Sequence, residues 1–262
     1  EYPELGIIEI ARPVGVVAAV TPSTNPGATP ANKIINALKC RNAVILAPSP
    51  KGFSTGALLL ELMHVELAKV GAPKDLVQIL PEPATKDATQ ALMRQADLVV
   101  ATGSQANVRA AYSSGKPAFG VGLGNVAVIV DASADVDDAA GKICESKCFD
   151  NATSCSSENS LVIVESVWDA MLSALARAGG ALLSAAEKAR LQAAMWPAGT
   201  LSTAVMARPV ADIVRAAGLR GTLAQAKFLM VEDDGVGRAH PFSGEKLSLV
   251  LTLYRVQDFD DA

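Results

Sequence analysis

Only two histidines and four cysteines occur in the 262 residues, which leaves little material for a serine-histidine-aspartate machine or a histidine-rich metal centre. The cysteines, Cys40, Cys144, Cys148 and Cys155, are too few and too irregularly spaced for a disulfide framework, which a chain of this size does not need. Free thiols are therefore expected. Aromatic residues amount to 4 % and the net charge is −4, with both signs interspersed. Neither a stacking platform nor a basic stripe is present, which excludes nucleic acid as a partner. Half the residues are hydrophobic and the mean hydropathy is +0.28, yet no apolar run approaches the ~18 to 20 residues of a membrane span. The opening EYPELGIIEIARP has no basic end, apolar stretch or small-residue cleavage site. A cytoplasmic protein acting on small molecules is the expectation.

What is present is an alternation of short β-branched runs with longer stretches of helical period, the pattern of parallel strands joined by crossover helices. Strands are expected at Val14–Val20, Ala43–Ala47, Leu76–Leu80, Leu98–Ala101 and Val126–Val130. Helices are expected at Ala31–Lys39, Phe53–Val70, Ala84–Arg94 and Gln105–Ser113. Gly71 and Pro73 stop the second of these helices. Four strand-helix units in ~100 residues make a doubly wound sheet. Beyond it, helices over Ala139–Phe149, Trp168–Ala178 and Ala185–Ala194 and strands over Ser160–Glu165, Phe228–Glu232 and Leu247–Tyr254 predict a second α/β domain. The boundary is set near residue 131, giving domains 1–131 and 132–262.

Cys155 lies in FDNATSCSSENS, a polar loop of small residues directly before an apolar strand. A thiol reacts as thiolate, which such a loop favours and an apolar core opposes; against this, an arbitrary free cysteine is more often a small core residue. Cys144 and Cys148 could share a metal with Cys155, but no histidine is near and paired CxxC spacing is absent, so no metal is expected. His64, within a long helix, reads as structural.

In TPSTNPGATP, after the first strand, Asn25 could donate its amide to an oxyanion or simply form a turn beside proline. At Leu98 onward, LVVATGSQANV repeats the order strand, Gly103, Ser104, helix, where backbone amides can receive a pyrophosphate and where Gly-Ser is also a routine cap. Gly120, Gly122 and Gly124 permit close approach of a ligand or of backbone. Glu245 is a lone acid beside a strand.

In this order, TPSTNP, NAVILAPSP, ATGSQANVRAAYSSGKPAFGVGLGN, FDNATSCSSENS and PFSGEKLS resemble the aldehyde dehydrogenase superfamily. The likeness is greatest to its CoA-acylating branch, which includes acetaldehyde, sulfoacetaldehyde and succinate semialdehyde enzymes. The resemblance implies two Rossmann-like doubly wound domains of the aldehyde dehydrogenase fold, the first binding NAD or NADP and the second carrying the nucleophile. It implies Cys155 as that nucleophile, with Asn25 and the Cys155 amide stabilising the oxyanion. Gly103 and Ser104 then meet the cofactor pyrophosphate, Glu245 the nicotinamide ribose, Thr21, Pro22 and Ser23 the cleft beside it, and Pro48 and Ser49 the adenosine, with Gly122 also on the cofactor side. The implied partners are a small aldehyde, coenzyme A as acyl acceptor and further copies of the chain in a homo-oligomer. The family plan also has segments before the PVGVV strand and after EKLS, so the sequence reads as incomplete at both ends.

Two departures from the family matter. Hydrolytic members carry a glutamate base in ELGG, whereas FGVGLGN has none; Gly120 is the position aligned with that base. Without it a thioester on Cys155 awaits a thiolate rather than water. At the adenosine end, LAPSPKG has Ala47, Pro50 and Lys51 where many relatives pair lysine with glutamate. That leaves both NAD and NADP open. The competing readings are a reductase resembling glutamyl phosphate reductase and a non-catalytic nucleotide-binding module.

Overall fold

The computed structural model describes residues 2–262. The chain divides into two compact units, one ending at Leu123 and the other starting at Gly124.

The first unit is built on a five-stranded parallel sheet. Its strands are β1 (Val16–Thr21), β2 (Ala43–Pro48), β3 (Val77–Ile79), β4 (Leu98–Thr102) and β5 (Ala118–Val121), in the order β3-β2-β1-β4-β5. The crossover helices are α1 (Ala28–Lys39), α2 (Phe53–Lys69), α3 (Lys86–Gln95) and α4 (Gln105–Tyr112). Buried runs such as VVAAVT make β1 apolar on both faces, as a central parallel strand must be. Val17, Ala19, Val44 and Leu46 pack with Ile34 and Ala37 of α1, while Ala18, Val20, Val99 and Ala101 pack with Leu92, Met93 and Ala111 of α3 and α4. The order reverses between β1 and β4, so the carboxyl edge there is the topological switch point at which open α/β sheets bind ligands.

The second unit is again a five-stranded parallel sheet: β6 (Val126–Val130), β7 (Glu158–Val164), β8 (Gly180–Leu182), β9 (Phe228–Glu232) and β10 (Val250–Val256), ordered β6-β7-β10-β9-β8. Helices α5 (Val136–Cys148), α6 (Trp168–Ala178), α7 (Ala185–Met195) and α8 (Val210–Ala216) close one core containing Leu161, Met171, Leu175, Leu191, Phe228 and Leu251.

The division falls eight residues before the expected boundary of 131, because Ala127–Val130 pair with Ser160–Ile163 of β7 and so belong to the second sheet. Three elements have no counterpart among the expected ones. Strand β5 is interrupted by Gly120 and is recruited by pairing with β4; β8 is only three residues, and α8 follows Pro209 in a stretch of weak period. Helix α1 begins three residues earlier than expected, since Pro30 sits in its first turn, where a missing N–H costs nothing.

Candidate functional site

Within the first unit, the residues expected at the cofactor fall on the carboxyl edge of one sheet. Thr21 ends β1 and pairs with Pro48, which ends β2. The Ser49 amide donates to the Thr21 carbonyl at 3.1 Å, which ties the loop holding Pro22 and Ser23 to the loop after β2. Gly103 follows β4, its amide donating to Val121 of β5 at 3.1 Å, and Ser104 caps α4 by accepting from the Asn107 amide at 3.3 Å. Ser104 is thus an ordinary N-cap of α4, and a helix cap does not by itself preclude an anion there. An added Cβ at Gly103 would meet nothing nearer than Asn107 Nδ2 at 3.6 Å, so the backbone there is open to a ligand.

Asn25 precedes α1. Its Oδ1 accepts from the Ala28 amide at 3.0 Å and the Thr29 amide at 3.4 Å, an acceptor's task because backbone N–H groups only donate. Fixing Oδ1 leaves Nδ2 as a free donor on an exposed side chain. Turn residue and oxyanion donor are compatible roles.

The glycines of GVGLGN have different neighbours. A Cβ on Gly120 would lie 2.7 Å from Val108 Cγ1 and 3.0 Å from Tyr112 Cε2, both on α4, and the Tyr112 hydroxyl accepts from the Gly120 amide at 3.1 Å. A side chain at Gly120, the position aligned with the hydrolytic carboxylate, would therefore have to displace α4 from β5. A Cβ on Gly122 would touch only the Gln105 side-chain amide, at 2.9 Å from Nε2, a group able to swing away.

Within the second unit, Cys155, Gly124 and Glu245 come together. A Cβ on Gly124 would sit 3.2 Å from the Cys155 carbonyl oxygen and 3.5 Å from Glu245 Oε1, so the nucleophile loop and the acid approach the same backbone, with little room left for a side chain there. Glu245 is half-buried; burial pushes its carboxyl up and a hydrogen bond from the Gly124 amide pulls it partly back. Asn125 Nδ2 donates to the Ser243 carbonyl at 2.8 Å, holding the Glu245 loop against the start of β6.

Local hydrogen bonds and burial shape the Cys155 loop. Asp150, Asn151 and Ala152 take positive φ of 49°, 51° and 57°, a left-handed turn that costs ~1 to 2 kcal/mol per non-glycine residue. Burial of Ala152 and the Thr153 hydroxyl bonded to the Asp150 carbonyl at 2.6 Å hold it. Ser157 then donates to the Ser154 carbonyl at 3.1 Å, closing a four-residue turn whose second residue is Cys155, exposed.

Three lysines escaped the sequence analysis. Lys147 is 1 % exposed and donates from Nζ to the Glu158 carbonyl at 2.6 Å, bridging the two ends of the Cys155 loop; burial lowers its pKa to about 8. Its place was legible, because Ala140, Ile143, Cys144 and Lys147 form one buried stripe of α5. Lys246 is fully buried, with Nζ bonded to the carbonyls of Phe242 (2.6 Å) and Gly244 (3.2 Å) and its amide to Asn159 Oδ1 (3.0 Å); burial holds it well below the usual lysine range. Lys33 of α1 bonds the carbonyls of Val20 (2.6 Å) and Val100 (2.8 Å).

The remaining candidates lie elsewhere. Cys144 donates to the Ala178 carbonyl at 3.2 Å, and burial pushes the Cys148 thiol up to about 11, the opposite of what a metal thiolate needs. His64 Nε2 meets the Val77 carbonyl at 2.9 Å. Asp233, Asp234 and His240 are grouped closely enough for a metal ion, but Lys188 Nζ already stands 3.3 Å from Asp233. No helix among the described residues is long and apolar enough to cross a membrane.

Residues 4–208 match the model of the aldehyde dehydrogenase family. The chain is 66 % identical, over 97 % of its length, to the sulfoacetaldehyde dehydrogenase (acylating) of Cupriavidus necator, and covers 52 % of that protein. It superposes with a TM-score of 0.90 on a crystal structure of an acetylating aldehyde dehydrogenase from Geobacillus thermoglucosidasius, at 38 % identity, covering 95 % of this chain and 55 % of that one. It also matches a Rhodopseudomonas palustris propionaldehyde dehydrogenase solved with bound CoA and an acylated cysteine, with a TM-score of 0.85 and 32 % identity over 95 % of this chain and 57 % of that one. The chain spans about half the length of the curated acylating relative.

Proposed function

Since the chain belongs to the aldehyde dehydrogenase family, we propose that the protein is a CoA-acylating aldehyde dehydrogenase, oxidising a small aldehyde to acyl-CoA through a thioester on Cys155. The observation that carries this is the fixed, exposed turn of Cys155, sharing the Gly124 backbone with the half-buried Glu245. Sulfoacetaldehyde, for which the Cupriavidus necator relative is named, is the first substrate to try. In this reading the unit ending at Leu123 serves mainly to bind NAD(P) and the unit starting at Gly124 carries the nucleophile.

The Cys155 thiolate attacks the aldehyde carbon, forming a carbon–sulfur bond and an alkoxide. In the family reading the donors that would stabilise it are the Nδ2 of Asn25 and the Cys155 amide, a contribution of the kind worth ~3 to 4 kcal/mol per donor. Collapse of the alkoxide expels hydride and leaves the thioester. NAD(P)+, when bound, accepts that hydride. Gly103 and Ser104, where backbone is open at the start of α4, would hold its pyrophosphate; Thr21, Pro22, Ser23 and Gly122 would lie beside it, Pro48 and Ser49 would meet the adenosine, and Glu245 would hold a ribose hydroxyl. A CoA thiolate then attacks the thioester carbonyl and releases Cys155 as thiolate. No carboxylate stands at Gly120 or Gly122 to activate water, which supports a thiol rather than a hydrolytic acceptor.

The test is Cys155→Ala in the full chain. Loss of acyl-CoA formation with NAD(P) affinity within about threefold of wild type is expected, because the thiol makes bonds and the cofactor is held elsewhere. Retained activity in Cys155→Ala, with loss in Cys144→Ala, would contradict the assignment.

A further inference from the structure

Strand β7 pairs with β6 in a register that skips one residue. Val126 stands opposite Glu158 and Ala127 opposite Ser160, so Asn159 between them has no partner on β6. The ladder with β10 starts only at Ser160, opposite Thr252. An unmatched residue of this kind is a bulge, which re-aims a side chain and is rare between parallel strands. Asn159 is 3 % exposed, and burying an amide costs free energy unless it is hydrogen-bonded. Its Oδ1 accepts from the Lys246 amide at 3.0 Å, across 87 residues of sequence.

That bond joins two loops. Asn159 belongs to the segment that leaves the Cys155 turn, and the carbonyl of its neighbour Glu158 receives Lys147 Nζ. Lys246 directly follows Glu245. Its Nζ turns back to the Phe242 and Gly244 carbonyls, so the residues before Glu245 are gathered on one buried side chain. Thr252 Oγ1 adds a second bond to the Phe242 carbonyl at 2.7 Å. Left-handed backbone accompanies both ends: Leu247, next to Lys246, has φ of 44°, and Asp150–Ala152 precede Cys155. Such conformations persist where the surroundings over-determine them, and they cluster at functional sites. Lys147, Asn159 and Lys246 thus form a buried polar pillar from α5 through the start of β7 to the Glu245 loop.

Resting on the aldehyde dehydrogenase reading above, we infer that Asn159 is a positioning residue that makes the Cys155 turn and the Glu245 loop one rigid piece of the second unit. An apolar residue at the bulge leaves the Lys246 amide buried without an acceptor, and the two loops then move separately. The thiol loses its set direction of approach, and a displacement of about 1 Å costs on the order of 100-fold in rate. A placement role of this kind acts on kcat and leaves ground-state affinity in place.

Asn159→Leu and Asn159→Asp in the full chain test this, since both match asparagine in size and only Asp keeps the acceptor. Hydrogen exchange is read on the amides of 153–158 and 241–247. Asn159→Leu should speed exchange about 10-fold in both segments, whereas a bond serving only the Lys246 amide would affect 241–247 alone. Well below the melting temperature, kcat of Asn159→Leu should fall about 10- to 100-fold, with KM for aldehyde and cofactor within about threefold of wild type. Asn159→Asp should recover most of that loss. Should Asn159→Leu fail to fold, Asn159→Ala, which lets a water reach the Lys246 amide, is expected to show the same changes in smaller measure. Unchanged exchange in 153–158, a kcat within about threefold of an active wild type, or equal losses in the Asp and Leu variants would overturn the inference. If wild type turns over no aldehyde while Asn159→Leu loosens both segments, the enzymatic reading fails and the coupling of the loops stands.

Discussion

A lysine that is 1 % exposed carries a cost that depends on pH, and Lys147 makes that cost measurable. Burial lowers its folded-state pKa from 10.5 to about 8. Below about pH 8 the ammonium is charged in folded and unfolded chains alike, and the burial penalty is carried in full. Between about 8 and 10.5 the unfolded chain binds more protons than the folded one, so this group makes stability rise with pH, by at most roughly 3 kcal/mol. Lys147→Met should reduce the gain in urea midpoint between pH 8 and pH 10 relative to wild type. Part of the gain should persist because Lys33 is shifted in the same direction. An identical pH dependence in both proteins would show that Lys147 is not buried as a cation. Its hydrogen bond to the Glu158 carbonyl clips the base of the loop that presents Cys155.

At the scale of elements, what the sequence made legible follows its periodicity. Strands such as β1, β2, β4 and β9 are continuous apolar runs, and helices α2, α4, α6 and α7 are bounded by caps and breakers. Their ends fall within a few residues of expectation. Strand β5 was not legible because its glycine lowers strand propensity, and its pairing with β4 supplies what propensity lacks. The same glycine explains why the site was only partly legible. Motif order points to Cys155, Asn25, Glu245 and the edge residues, but the backbone reason for each glycine of GVGLGN lies in distant neighbours: Val108 and Tyr112 for Gly120, the Cys155 carbonyl and Glu245 for Gly124. Gly120→Glu should therefore break the α4-β5 packing and destabilise by ~1 to 3 kcal/mol or more. Gly122→Glu, which displaces only the Gln105 amide, should melt closer to wild type. Thermal unfolding of the pair checks this. A Gly120→Glu protein as stable as wild type would contradict the packing role.

At the scale of the whole molecule, two parallel sheets divide the work that the family reading assigns. One presents a carboxyl edge of open backbone; the other presents a cysteine on an exposed turn that follows a left-handed stretch at Asp150–Ala152. The family resemblance joined motifs that singly carried little weight. The boundary at Leu123–Gly124 was missed because β6 follows β5 in sequence with no linker of distinctive composition, and only pairing with β7 assigns it to the second sheet. The central claim is that the acyl group on Cys155 is passed to a thiol and not to water. The measurement that tests it most directly is product formation by the full chain with and without CoA. Without CoA, a burst of about one NAD(P)H per active site followed by slow turnover is expected, and addition of CoA should restore steady production of acyl-CoA. Release of free acid as fast without CoA as with it would contradict the account.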